Sequence, residues 1–182
     1  MHSPLKKLLS AAAVSLTVLF GALLASGPGH ADALAKPIPA PAFTGLDTWL
    51  NSAPLTIEQL RGKVVLVDFW TYTCINCIHT LPYVKAWYDK YKDQGLVVVG
   101  VHTPEYPFER STANVKDALK RFDIRYPVAQ DNRYATWEAY NNQFWPAFYL
   151  IDKSGRIVYT HFGEGKYDET EATIRRLLAQ PG

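Results

Sequence analysis

The chain has 182 residues, 48% of them apolar and 20% charged, a composition that fits one globular domain with a full core and excludes a disordered or collagen-like chain. The formal net charge is +2, with both signs interspersed, so no basic field exists to bind nucleic acid. A second domain and a polyanionic partner are therefore not expected.

Lys6 and Lys7 precede an almost wholly apolar run from Leu8 to Ala25, and the small residues Ala31-Asp32-Ala33 follow. This order predicts a secretory signal peptide over residues 1–33, with cleavage after Ala31 or Ala33. An uncleaved membrane anchor is the alternative, because the apolar run approaches the length that spans a bilayer. Either reading puts the folded part outside the cytosol, in the periplasm or at the cell surface. Residues 34–42, rich in Ala and Pro, are expected to be a flexible or extended leader, and residues 43–182 the folded domain.

Within that domain Thr44–Leu50 is expected to form a short hairpin. Thr56-Ile57-Glu58-Gln59 has the form of a capping box and predicts one helical turn, which Gly62 ends. Lys63–Trp70 is a continuous β-branched and aromatic run, the pattern of a strand buried on both faces, and Asp68 is out of place in it. Helical spacing of Leu81, Val84, Trp87, Tyr88 and Tyr91 predicts a helix from Ile75 to about Lys92, kinked at Pro82. Leu96–His102 reads as a second buried strand and Glu109–Phe122 as a second helix. A short strand at Pro127–Ala129 and a helix at Tyr134–Tyr140 follow. Ala147–Asp152 and Arg156–Phe162 read as strands of a hairpin turning at Lys153-Ser154-Gly155, and Glu169–Leu178 as a closing helix. The order implies an α/β three-layer sandwich, a mixed central sheet with helices on both faces.

Cys74 and Cys77 are the only cysteines in the chain, and they stand at a strand-to-helix junction. A thiol at a helix start meets free backbone N–H groups and the positive end of the dipole, which should lower its pKa from about 8.5 toward 7 or below. Cys74 is thereby the candidate nucleophile. Cys77, one turn later, is the candidate resolving thiol that releases a mixed disulfide. The alternative is a permanent staple, which a loop this short would make weakly stabilising. A zinc ribbon would need a second ligand pair, which is absent.

Val67-Asp68-Phe69-Trp70, three residues before Cys74, together with Pro82 five beyond Cys77, resembles the active-site block of the thioredoxin superfamily, and the resemblance covers roughly Phe43 to Leu178. It implies a thioredoxin-like sandwich, in which Asp68 is a buried aspartate, Trp70 an active-site tryptophan and Trp145-Pro146 a cis-proline facing the cysteines. Chemistry adds that a buried carboxylate has a raised pKa and can take the Cys77 proton; a hydrogen-bonded structural Asp68 is the alternative. A cis bond at Pro146 would free the Trp145 backbone to pair with an extended peptide, whereas a trans strand-start proline would not. Trp70, Trp145 and Pro146 are thus the candidate substrate contacts.

The lengthened Val99–Glu105 segment, Thr-Cys-Ile-Asn-Cys and Trp145-Pro146-Ala147 are most like the exported TlpA/ResA-like redoxins, in particular the soluble thioredoxin-like domain of DipZ. That resemblance puts an acidic residue at Glu105 near the cysteines, where it could tune their pKa values or be an exposed loop carboxylate. Ile75-Asn76 between the cysteines departs from thioredoxin's Gly-Pro, so no redox potential carries over. The resemblance implies a monomer without bound cofactor or metal, reducing cysteine pairs of exported proteins, with haem-attachment pairs of c-type cytochromes as a candidate substrate. Electrons would come from a membrane transporter of the CcdA or DsbD kind. Disulfide oxidase or isomerase activity remains open, because direction depends on potential. Copper delivery of the SCO type, through Cys74, Cys77 and His79, is the rival class, since thiolates and imidazole suit Cu(I).

Overall fold

The computed structural model describes residues 33–181, with side chains from residue 36 onward. The expected signal peptide, save its last residue, lies outside the described residues. In chain order the elements are β1 (Ala33–Pro39), β2 (Thr48–Leu50), β3 (Val64–Trp70), α1 (Ile75–Tyr91), β4 (Leu96–His102), α2 (Thr112–Arg121), β5 (Val128–Gln130), α3 (Ala135–Ala139), β6 (Ala147–Ile151), β7 (Arg156–Phe162) and α4 (Tyr167–Ala179). One seven-stranded sheet runs β1-β7-β6-β3-β4-β5-β2.

β3 lies at the centre, parallel to β4 and antiparallel to β6. All seven of its residues are buried, which is what an unbroken β-branched run is for. Side chains alternate across the sheet. Val64, Leu66 and Trp70 pack with Leu81, Val84 and Trp87 of α1, Val115 and Leu119 of α2, and Ile174 and Leu177 of α4. Val65, Val67 and Phe69 pack on the opposite face with Trp137, Tyr140 and Ile57. By the same alternation Asp68 lies on the α1 face, between Leu66 and Trp70.

Gly100 of β4 stands opposite Asp68 in the parallel register. A Cβ there would come within 3.0 Å of Trp70 Nε1 and 3.1 Å of the Tyr126 ring, tighter than ordinary side-chain contacts, so both rings would have to shift. The missing side chain is what lets both rings settle against β4 at Gly100.

Two expectations near the start of the domain are corrected. Residues 34–39 belong to β1, an edge strand paired antiparallel with β7, with Ile38 opposite Ile157; an Ala/Pro-rich segment can take an edge position because Pro need donate no ladder hydrogen bond there. Thr44–Leu50 forms no hairpin. β2 instead pairs antiparallel with β5, Thr48 with Gln130 and Leu50 with Val128. Thr136 Oγ1 holds the segment before it, accepting from Thr44 N–H at 2.9 Å and donating to Thr44 C=O at 2.7 Å.

Elsewhere the elements match the expected ones within a few residues. The capping box is reciprocal: Gln59 N–H donates to Thr56 Oγ1 at 3.2 Å, and Thr56 N–H to Gln59 Oε1 at 3.1 Å. The second helix starts at Thr112, later than expected, because Pro107–Arg110 forms a separate 3₁₀ turn and Ser111 caps α2.

Candidate active site

Cys74 is the N-cap of α1, in an extended conformation, and its Sγ accepts from Cys77 N–H at 3.2 Å. The two cysteines form a disulfide across a Cα–Cα distance of 5.2 Å, within the ordinary span. Their surroundings differ. Cys74 is partly exposed, whereas Cys77 is fully buried against the α1 face of the sheet. A partner can therefore reach Cys74 and not Cys77. Once reduced, Cys74 sits where a free N–H group and the helix dipole both favour its thiolate.

Asp68 lies in the same buried layer as Cys77. Burial pushes its carboxyl up to about 8, and neither oxygen has a hydrogen-bond partner among the described residues. A structural carboxylate hydrogen-bonded to protein groups would have such a partner among the described residues, and Asp68 has none. Trp70 Nε1 and the Tyr126 hydroxyl are likewise buried and unpartnered, and burial, followed by the Asp68 charge, raises the Tyr126 pKa well above its usual value. A buried carboxyl with no donor bonded to it is mostly protonated near neutral pH, and its ionised fraction can take a proton from a thiol of similar affinity.

The Trp145–Pro146 bond is cis. The Trp145 main chain makes no hydrogen bond within the described residues. Its indole donates to Thr103 C=O at 3.0 Å and packs on Trp137 with ring centroids 4.1 Å apart. An open cleft of about 270 Å³ runs past Cys74, lined by Thr73, Ile75, Asn76, Glu105, Tyr106 and Trp145. Trp145 is thus placed to meet a substrate, whereas Pro146 is buried behind it. Trp70 is corrected as a direct contact: at 1% exposure it lies beneath the site, edge-on to His102 at 5.3 Å, because Gly100 makes room for it.

Glu105 lines the cleft as an exposed side chain. The buried acid is Glu109, which the sequence reading passed over. Fully shielded from solvent, it accepts from Thr73 Oγ1 at 2.5 Å, Glu105 N–H at 2.6 Å and Tyr106 N–H at 2.9 Å. Burial alone would raise its pKa, but hydrogen bonds from Thr73, Thr71 and these two amides outweigh it and hold the carboxyl below the usual range. Thr71 Oγ1 also lies 3.2 Å from His102 Nε2. Burial lowers the His102 pKa to about 4, against the pull of the Glu109 charge. Thr71 and Thr73, flanking Tyr72 just before Cys74, were the available signal: two hydroxyls in that pattern need an acceptor.

His79 is exposed on α1 and pairs with Glu164 at 3.2 Å. No group of three or more His, Cys, Asp or Glu among the described residues is arranged to hold a metal ion. No helix among them is long and apolar enough to cross a membrane.

The redoxin family model matches residues 36–178. Protein DipZ of Mycobacterium bovis is 51% identical over 148 residues, which are 79% of this chain and 21% of that protein; the chain thus spans about a fifth of the DipZ length. Thiol-disulfide oxidoreductase YkuV of Bacillus subtilis is 35% identical over 78% of this chain and 95% of its own. Among solved structures, a thioredoxin-like protein in its oxidised form superposes with a TM-score of 0.73 at 33% identity, covering 80% of this chain and 98% of that one.

Proposed function

Because the chain belongs to the redoxin family, as a thiol–disulfide oxidoreductase of the TlpA/ResA-like kind with a thioredoxin-like fold, we propose that it reduces cysteine pairs of exported proteins outside the cytosol. The observation that carries this reading is the asymmetry of the pair: Cys74 open to a cleft at a helix start, Cys77 sealed behind it in the layer that holds Asp68.

In the forward step the Cys74 thiolate attacks one sulfur of a partner disulfide. An S–S bond forms between Cys74 and the partner, and the other partner sulfur leaves as thiolate and takes a proton from water. Cys77 then gives its proton to Asp68 in its ionised form, the minor form at neutral pH, and attacks Cys74 Sγ; the second partner sulfur leaves as thiolate and takes up a proton that Asp68 returns through water. The partner gains two electrons and two protons, and Cys74–Cys77 is left oxidised. The free Trp145 main chain offers an extended partner segment a strand-like pairing beside Cys74. A membrane thiol donor of the CcdA or DsbD kind returns the electrons, and haem-attachment cysteines of c-type cytochromes are the substrate this branch suggests. The apolar run Leu8–Ala25 behind Lys6 and Lys7, read as a signal peptide, supports that location. No cofactor beyond the cysteine pair enters the cycle.

Two measurements test the reading. A Cys77→Ser variant should accumulate mixed disulfides on Cys74 with exported proteins, and Cys74→Ser should accumulate none; the reverse pattern would refute the roles. Equilibration of the wild-type pair with glutathione should give a potential well below the glutathione couple, and a value near about −120 mV would instead mark an oxidase.

A further inference from the structure

The cleft beside Cys74 has two walls from distant parts of the chain. One is the corner at Thr73–Asn76, and the other is the loop carrying Glu105 and Tyr106. Glu109 bonds to both: Oε1 accepts from Thr73 Oγ1, while Oε2 accepts from the Glu105 and Tyr106 amides. No cation pairs with it among the described residues. A buried carboxylate without a countercharge is costly unless donors saturate it. Here those donors belong to the two lips of one opening.

The same loop is fastened further along. Tyr72, between the two threonines, donates its hydroxyl to Phe108 C=O at 3.1 Å, and Tyr106 and Phe108 stack 5.7 Å apart. Ile75 on one lip and Tyr106 on the other are 60% and 50% exposed. Large apolar side chains facing solvent across a reactive sulfur are suited to grip a chain passing between them.

We propose that Glu109 is a positioning residue that sets the width of this cleft, so that an extended partner segment with apolar side chains next to its cysteine lodges between Ile75 and Tyr106. The inference rests on Cys74 being the attacking thiol and goes beyond it by naming what holds the partner. Glu109 takes no part in the exchange of sulfur bonds.

The test mixes fully reduced protein with excess of a short peptide closed by one disulfide and flanked by aromatic residues, and reads the single-turnover rate against peptide concentration. In Glu109→Gln an amide replaces an acceptor of two backbone N–H groups, and the loop loses its anchor. The half-saturating concentration should rise about tenfold, while the saturating rate and the alkylation of Cys74 by iodoacetamide, which needs no cleft, stay within about twofold. Thr73→Val alters an exposed side chain and removes only the Oε1 bond, so it should shift the same quantity less. Combined with Glu109→Gln it should add little, because both changes open one clamp. Should Glu109→Gln lose its cooperative unfolding transition, Thr73→Val carries the test alone.

An unchanged half-saturating concentration in the folded variants overturns the proposal. So does a fall in saturating rate and alkylation together at constant half-saturation, which would mean that Glu109 acts on the sulfur and not on the partner. Wild-type Cys74 that resists iodoacetamide would instead bring down the underlying assignment of the nucleophile.

Discussion

Replacing Asp68 by Asn should make the protein more resistant to unfolding, and increasingly so as pH rises. The wild-type carboxyl is pushed from 3.8 to about 8 by burial alone. Its folded pKa lies above its unfolded one, so between these values the folded state keeps a proton that the unfolded state has released, and stability falls as pH rises. At about 1.4 kcal/mol per pH unit, this one group removes roughly 3 kcal/mol of stability between about pH 5 and 7. Asn cannot titrate. The cost of burying its unpartnered amide is an offset that does not change with pH, and the other titrating groups cancel between the two proteins. Urea unfolding of both, oxidised and at several pH values from 5 to 8, gives the difference directly. It should widen by about 3 kcal/mol from pH 5 to pH 7 and level off above pH 8. Parallel curves would refute the assignment, because they would mean that Asp68 is already ionised at pH 5. The same substitution should slow release of a thiol preloaded on Cys74 by about a hundredfold near neutral pH. Unchanged release would remove Asp68 from the resolving step while leaving its thermodynamics intact.

His102, held to about 4 by burial, should show ring proton shifts that do not move between pH 5.5 and 8 in an NMR titration; a midpoint near the free value of about 6.5 would show that the ring reaches water. Its depressed pKa should also cost stability as pH falls from about 6.5 toward 4, since the unfolded state then binds a proton that the folded state refuses. Gly100→Ala should lower unfolding free energy by about 1–3 kcal/mol, because the added methyl meets Trp70 and Tyr126 in a packed layer. Near-UV circular dichroism should report the displaced indole. A neutral Gly100→Ala would mean that the gap over Asp68 is not what seats Trp70.

The central strands could be read from the sequence almost to the residue, since β3 and β4 are buried on both faces and need unbroken apolar runs. β1 could not. Ala and Pro carry a linker's composition, and what makes residues 33–39 a strand is the edge of β7, which lies over a hundred residues away. The hairpin expected at Thr44–Leu50 failed for the same reason: β2 finds its partner in β5, about eighty residues further along the chain. The cysteine pair, Asp68 and Trp145 lie at positions marked by local pattern. Glu109 was hidden because an acid near a helix start is expected on dipole grounds alone. Its importance comes from Thr73, 36 positions earlier. Glu105 stood out by its place in the family pattern, yet it contributes its amide to Glu109 as well as a side chain to the cleft.

Asp68 and Glu109 show why burial alone does not assign a role to a carboxylate. Both are shielded from solvent, and burial pushes both upward. Asp68 has no bonded donor to hold its charge, so its proton affinity is close to that of a thiol and its ionised fraction can take the proton that Cys77 must lose. Glu109 has hydroxyl and amide donors around it, so its charge persists and its geometry is fixed. A group that must change protonation during the reaction cannot be tied by many hydrogen bonds, because each would favour the ionised form and lower the proton affinity it needs. A group that must hold two segments in place gains from each such bond. The donor count separates proton carrier from clamp, and it predicts that adding a donor beside Asp68 would slow resolution above about pH 8, where the carboxylate is ionised with or without that donor.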